Sequence, residues 1–163
     1  MATVSRRQGI LALMDLILWR HADAHEGFPD LTRELTVKGQ RQAADMAKWL
    51  KLHLPSESEI LVSPAVRAQQ TAQALTHKFK TMKEIEPGTS PEAILSAADW
   101  PDHKGTVVVV GHQPTLGQTA AWLLSGEAAE WSMKKGAVWW FTHRVRGEHR
   151  ETVLRVAIAP DLL

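Results

Sequence analysis

Leu16-Ile17-Leu18-Trp19-Arg20-His21 decides the fold. An apolar run of strand length stops abruptly at an arginine and a histidine, and Ala22 to Pro29, with Gly27 and Pro29, reads as loop. In an open α/β sheet, side chains just past the carboxyl end of a strand line the ligand crevice. Arg20 and His21 are therefore expected side by side at a site mouth, a fixed cation next to a candidate nucleophile.

Outward from that stretch, strand and helix patterns alternate. Thr36 is a candidate N-cap for a helix carrying Ala43, Met46, Ala47 and Leu50 and running to about His53. Glu59 to Val62 reads as a short buried strand. Ser63-Pro64 then opens a helix, serine as cap and proline at the first position, reaching about Lys78. Lys83 to Ile85 reads as an edge strand, and Ser90 starts a helix to Ala98. Thr106-Val107-Val108-Val109-Val110 is a β-branched strand buried on both faces. It ends at Gly111-His112-Gln113-Pro114, and Thr115 caps the next helix. Ala137 to Val145 and Thr152 to Ala159 flank a polar turn and read as a hairpin. This order predicts an α/β fold: a three-layer α/β/α sandwich around a mostly parallel sheet with a C-terminal hairpin.

The 163 residues suit one domain. Arg6-Arg7 ahead of an apolar run resembles the start of a signal peptide, but Asp15 interrupts the run and no small-residue cleavage site follows. Residues 1–14 are accordingly read as an N-terminal extension and 15–163 as the domain, with a cytoplasmic location. A formal net charge of +1 makes no electrostatic case for nucleic acid or a membrane surface. No apolar run reaches membrane-spanning length. With no cysteine there is no disulfide, no thiolate metal site and no cysteine nucleophile.

Three strand ends should converge, bringing Arg20, His21, Arg67 and His112 to one pocket. Paired guanidinium forks match the oxygens of a small dianion such as phosphate. Arg67 is informative because it falls in the first turn of its helix, where the macrodipole disfavours a cation by about 0.3–1 kcal/mol. An anion held between Arg67, Arg20 and the helix N–H groups reverses that penalty. His21 and His25 share a metal-pair spacing, but Gly27 and Pro29 argue against a helix there, so no metal and no cofactor is expected.

Taken together, the motifs resemble the histidine phosphatases, whose fold is phosphoglycerate-mutase-like. Arg20-His21-Ala22 stands for the family's Arg-His-Gly. Ser63-Pro64-Ala65-Val66-Arg67-Ala68-Gln69-Gln70-Thr71-Ala72 matches its Ser-Pro-x-x-Arg-x-x-Gln-Thr-Ala stretch, and Gly111-His112 and Leu35-Thr36-x-x-Gly39 match as well. The similarity runs from Asp15 to about Ala159 and is nearest to the small SixA-type phosphohistidine phosphatases. Larger members insert a helical cover before the second histidine. Here about 45 residues separate Arg67 from His112, and they are taken up by elements already assigned. The resemblance implies hydrolysis of phosphohistidine on a signalling protein through a phosphohistidine intermediate on His21, with Arg20, Arg67 and His112 binding the phosphoryl group. The implied partner is a phosphohistidine-carrying protein resembling a histidine phosphotransfer domain. A small phosphorylated metabolite, or a non-catalytic phosphate-binding role, are the alternatives. The general acid is left open among Glu84, Glu86 and Asp23.

Overall fold

The computed structural model describes residues 11–163. The expected extension over residues 1–10 and the signal-peptide reading there lie outside the described residues. Six strands form one sheet: β1 (Leu11–Arg20), β2 (Glu59–Val62), β3 (Lys80–Thr81), β4 (Gly105–Gly111), β5 (Val138–Arg146) and β6 (His149–Ile158), in the order β3-β2-β4-β1-β5-β6. Strands β1 to β4 run parallel, and β5 and β6 add an antiparallel hairpin beside β1. Among the described residues, four α-helices cover the sheet: α1 (Val37–His53), α2 (Val66–Gln73), α3 (Pro91–Ala97) and α4 (Thr115–Ser125).

Side chains of β1 alternate between the two faces. Leu16 and Leu18 join Val107, Val109, Ile94, Leu116 and Phe141 on the face covered by α3 and α4. Ile17 and Trp19 join Val108, Val110, Met46, Leu50, Ala68 and Ala72 on the face covered by α1 and α2. The expected three-layer sandwich with its C-terminal hairpin is the observed fold.

Several boundaries differ, each for a physical reason. β1 starts at Leu11, and Met14 is buried against β4 and β5, so Leu11–Met14 belong to the domain and not to an extension. The break read at Asp15 does not exist. Its carboxylate accepts from Thr142 Oγ1 at 2.6 Å and pairs with Arg155 at 3.2 Å, so the strand carries a satisfied charge. Lys83–Ile85 forms a 3₁₀ turn, with Ile85 buried beneath Gly111, and the edge strand is Lys80–Thr81. Helix α2 starts at Val66, after an Ala65 cap with no side-chain bond, and ends at Gln73, short of the expected Lys78.

Candidate active site

Sheet register brings the site together. Arg20 of β1 lies opposite Gly111 of β4, and Val62 of β2 lies opposite Val110 of β4. The three strands thus end level. Backbone bonds continue one step past their ends, from His21 N–H to the Gly111 carbonyl (3.0 Å) and from Ser63 N–H to the Val110 carbonyl (3.1 Å). His21, Ser63 and His112 consequently share one edge. The two imidazole rings are 5.1 Å apart between centroids.

His21 is 8% exposed and forms the floor of the site. Its Nδ1 lies 2.8 Å from the Ala22 carbonyl, which only accepts, so Nδ1 carries the proton and Nε2 presents a lone pair. Arg67 Nε–H approaches that Nε2 at 3.4 Å. Burial pushes the His21 pKa down to about 4, and the guanidiniums of Arg67 and Arg20 act in the same direction. The ring is neutral at neutral pH.

His112 is pushed down to about 3 by burial, with His21 and Arg67 adding to the effect. Its Nε2 is 2.7 Å from Ser63 Oγ, while its buried Nδ1 has no partner among the described residues. Ser63 therefore orients His112; its hydroxyl also accepts from Ala65 N–H at 3.2 Å. Reading Ser63 as the helix cap missed this role, because the cap pattern and an imidazole partner call for the same residue type.

Arg67, in the first turn of α2, is 3% exposed and donates through three of its five N–H groups, which leaves two for a ligand. Nη1 donates to the Asp30 carbonyl at 2.8 Å and Nη2 to the Asp30 carboxylate at 3.1 Å. Farther along the same helix, Thr71 Oγ1 accepts from Ala22 N–H and Gln70 Oε1 accepts from Leu35 N–H. One helix thereby supplies the guanidinium and pins the loop that follows His21. Arg20 donates to the Met133 carbonyl at 2.7 Å, and the Gly136 and Ala137 backbone braces the same turn. Asp30 and the 131–137 loop carry no periodicity and no motif, so sequence reasoning had no means of finding them.

The three carboxylates expected as acid candidates fare differently. Asp23 bonds Lys135 Nζ and Thr36 Oγ1, both at 2.7 Å, and these partners hold its carboxyl below the usual range. It stays ionised on the α1 side. Neither Glu84 nor Glu86 is hydrogen-bonded to a site residue among the described residues; both flank the buried Ile85 on the 3₁₀ turn. The structure brings Arg20, His21, Arg67 and His112 together and leaves those two glutamates outside their contacts. Ala22, where the family pattern has glycine, is buried against Leu35 and Ala43 without strain on the loop.

Known proteins resemble this chain in sequence and in fold. The family model of the histidine phosphatase superfamily (branch 1) matches residues 16–90. A phosphohistidine phosphatase SixA homologue from Haemophilus influenzae is 32% identical over 124 residues, covering 66% of this chain and 76% of the relative. Phosphohistidine phosphatase SixA of Escherichia coli K12 is 29% identical over 123 residues, covering 70% and 76%. Among solved structures, the protein histidine phosphatase SixA complexed with tungstate superposes with a TM-score of 0.77 at 25% identity, covering 91% of this chain and 99% of that one. The chain belongs to the histidine phosphatase superfamily, within its SixA-type branch, and is a phosphatase.

Proposed function

We propose that this phosphatase hydrolyses phosphohistidine carried on another protein, in two steps through His21. The observation that carries the reading is the unprotonated His21 Nε2 facing the Arg67 guanidinium at a level strand edge. The Nε2 lone pair attacks phosphorus as the substrate P–N bond breaks, and that bond's electron pair leaves with the substrate imidazole. Water then attacks the phosphorus of phospho-His21, the P–Nε2 pair returns to the ring, and inorganic phosphate departs. Arg20, Arg67 and the unpartnered Nδ1 of His112 bind the equatorial oxygens, where charge spreads in a loose transition state. No metal or other cofactor enters this scheme.

The chain between Arg67 and His112 is taken up by β3, the 3₁₀ turn and α3. That leaves the mouth open to a phosphorylated side chain on a folded partner. The SixA relatives bear the same substrate in their names, and the SixA structure that superposes on this chain is complexed with tungstate, an oxyanion. A single domain from Leu11 onward and a cytoplasmic location belong to the same proposal.

Mixing the enzyme with a phosphohistidine donor domain, quenching without acid and weighing the intact protein tests it. The expected result is a transient gain of one phosphoryl group with release of phosphate. A folded His21→Ala variant should show neither. Turnover by that variant removes His21 as nucleophile. Hydrolysis confined to small phosphomonoesters favours the metabolite alternative, and inertness on both favours a binding role.

A further inference from the structure

Resting on the phosphohistidine reading, we infer that Asp30 determines leaving-group specificity: its carboxylate accepts the distal ring N–H of the substrate's phosphoimidazole and so favours P–N over P–O cleavage. The Asp30 carboxylate touches the site by accepting from Arg67 Nη2, while the Asp30 backbone carbonyl accepts from Nη1; the Nε of the same guanidinium faces His21. Its side chain is 53% exposed, whereas His21 lies on the floor. In-line attack by His21 expels the leaving group on the side of phosphorus away from His21, and the exposed Asp30 carboxylate, held by Arg67, is the acceptor we place there.

The chemistry suits a carboxylate that accepts rather than donates. A phosphoimidazole protonated on its distal nitrogen already carries the proton its leaving group needs. When the P–N bond breaks, the electron pair falls to the proximal nitrogen and neutral imidazole departs with its distal N–H intact. No acid has to deliver a proton to the leaving atom. An ionised acceptor at the distal N–H stabilises the protonated ring by a charge-assisted hydrogen bond. Partial burial by itself raises the Asp30 carboxyl, but bonds and charges from Arg67 and Arg33 outweigh it and hold it below the usual carboxylate range. An alkoxide leaving group needs a donated proton and gains nothing from such a neighbour. Both Asp30 oxygens already accept, Oδ1 from Arg33 Nε and Oδ2 from Arg67 Nη2, each at 3.1 Å, and each keeps a second lone pair for the substrate N–H.

Asp30→Asn keeps the backbone carbonyl that Arg67 Nη1 uses and removes the charge. The test compares kcat/KM on phosphoimidazole and on 4-nitrophenyl phosphate, whose leaving group needs no proton, together with vanadate inhibition. The variant should lose about tenfold or more on phosphoimidazole and less than about threefold on 4-nitrophenyl phosphate, with vanadate affinity retained. An equal loss on both substrates, or weakened vanadate binding, reduces Asp30 to a positioner of Arg67 and overturns the inference. A gain on both makes Asp30 a competitor for the phosphate clamp and also overturns it. Wild-type enzyme that cleaves 4-nitrophenyl phosphate but not phosphoimidazole defeats the parent reading instead.

Discussion

Two buried histidines set the electrostatics of the site, and their effect on stability follows from the sign of their shifts. Between pH 6.5 and about 4 for His21, and about 3 for His112, the unfolded chain binds protons that the folded chain excludes. Stability from these groups is therefore complete above pH 6.5 and is lost as pH falls through the folded values. At 1.36 kcal/mol per unit, these shifts correspond to upper bounds of about 3 kcal/mol for His21 and about 5 kcal/mol for His112. Urea midpoints at pH 7 and pH 4.5 should differ markedly for the wild type and less for a His21→Asn/His112→Asn double variant. His143, also lowered by burial, accounts for part of what remains. An identical pH slope in the two proteins would mean that the imidazoles are not held neutral by the fold. At this scale sequence reasoning found the four cationic and imidazole residues because each follows a legible strand end or helix start. It missed Asp30 and Ser63, whose roles depend on which side chain arrives opposite them.

Helix α1 and the turn after β1 show how an element positions the site. Thr36 caps α1 by accepting from Gly39 N–H at 2.9 Å, and donates to Asp23 at 2.7 Å. Asp23 N–H in turn donates to Gln42. The first turn of α1 thus lies directly against the segment two residues past His21. A Cβ at Gly39 would run into the Asp23 carbonyl, a backbone atom that cannot swing aside. Gly39→Ala should therefore cost about 2–3 kcal/mol by denaturant unfolding and lower turnover by displacing the His21 turn. Wild-type stability and activity in that variant would show that the turn can move freely. The Leu35-Thr36-x-x-Gly39 pattern was readable as a cap, but the need for glycine at its end was not. Helix periodicity says which face is apolar and nothing about a loop from 16 residues earlier pressing on the first turn.

For the molecule as a whole, the first strand joins the sheet earlier along the chain than the apolar pattern implies. Met14 is 2% exposed and pairs with Gly105 on one side and His143 on the other. Met14→Ala should destabilise the protein by about 2–4 kcal/mol, the range for truncating a buried side chain. A change below about 0.5 kcal/mol would place the domain boundary after it, as expected for an exposed residue. Among the described residues, no helix is long and apolar enough to cross a membrane.

By itself the sequence determined the layers, the alternation of strands and helices, the hairpin, and the identity of the two arginines and two histidines. Those features are local: hydrophobic period, cap and turn chemistry, and the chemistry of single residues at element ends. Only the tertiary structure decided that Leu11–Met14 join the sheet, that Ser63 serves His112, and that Asp30 meets Arg67 across a separation of 37 residues. Such contacts arise when strand register and loop packing bring distant segments together. The energy that selects them comes from pairings that no window of adjacent residues contains.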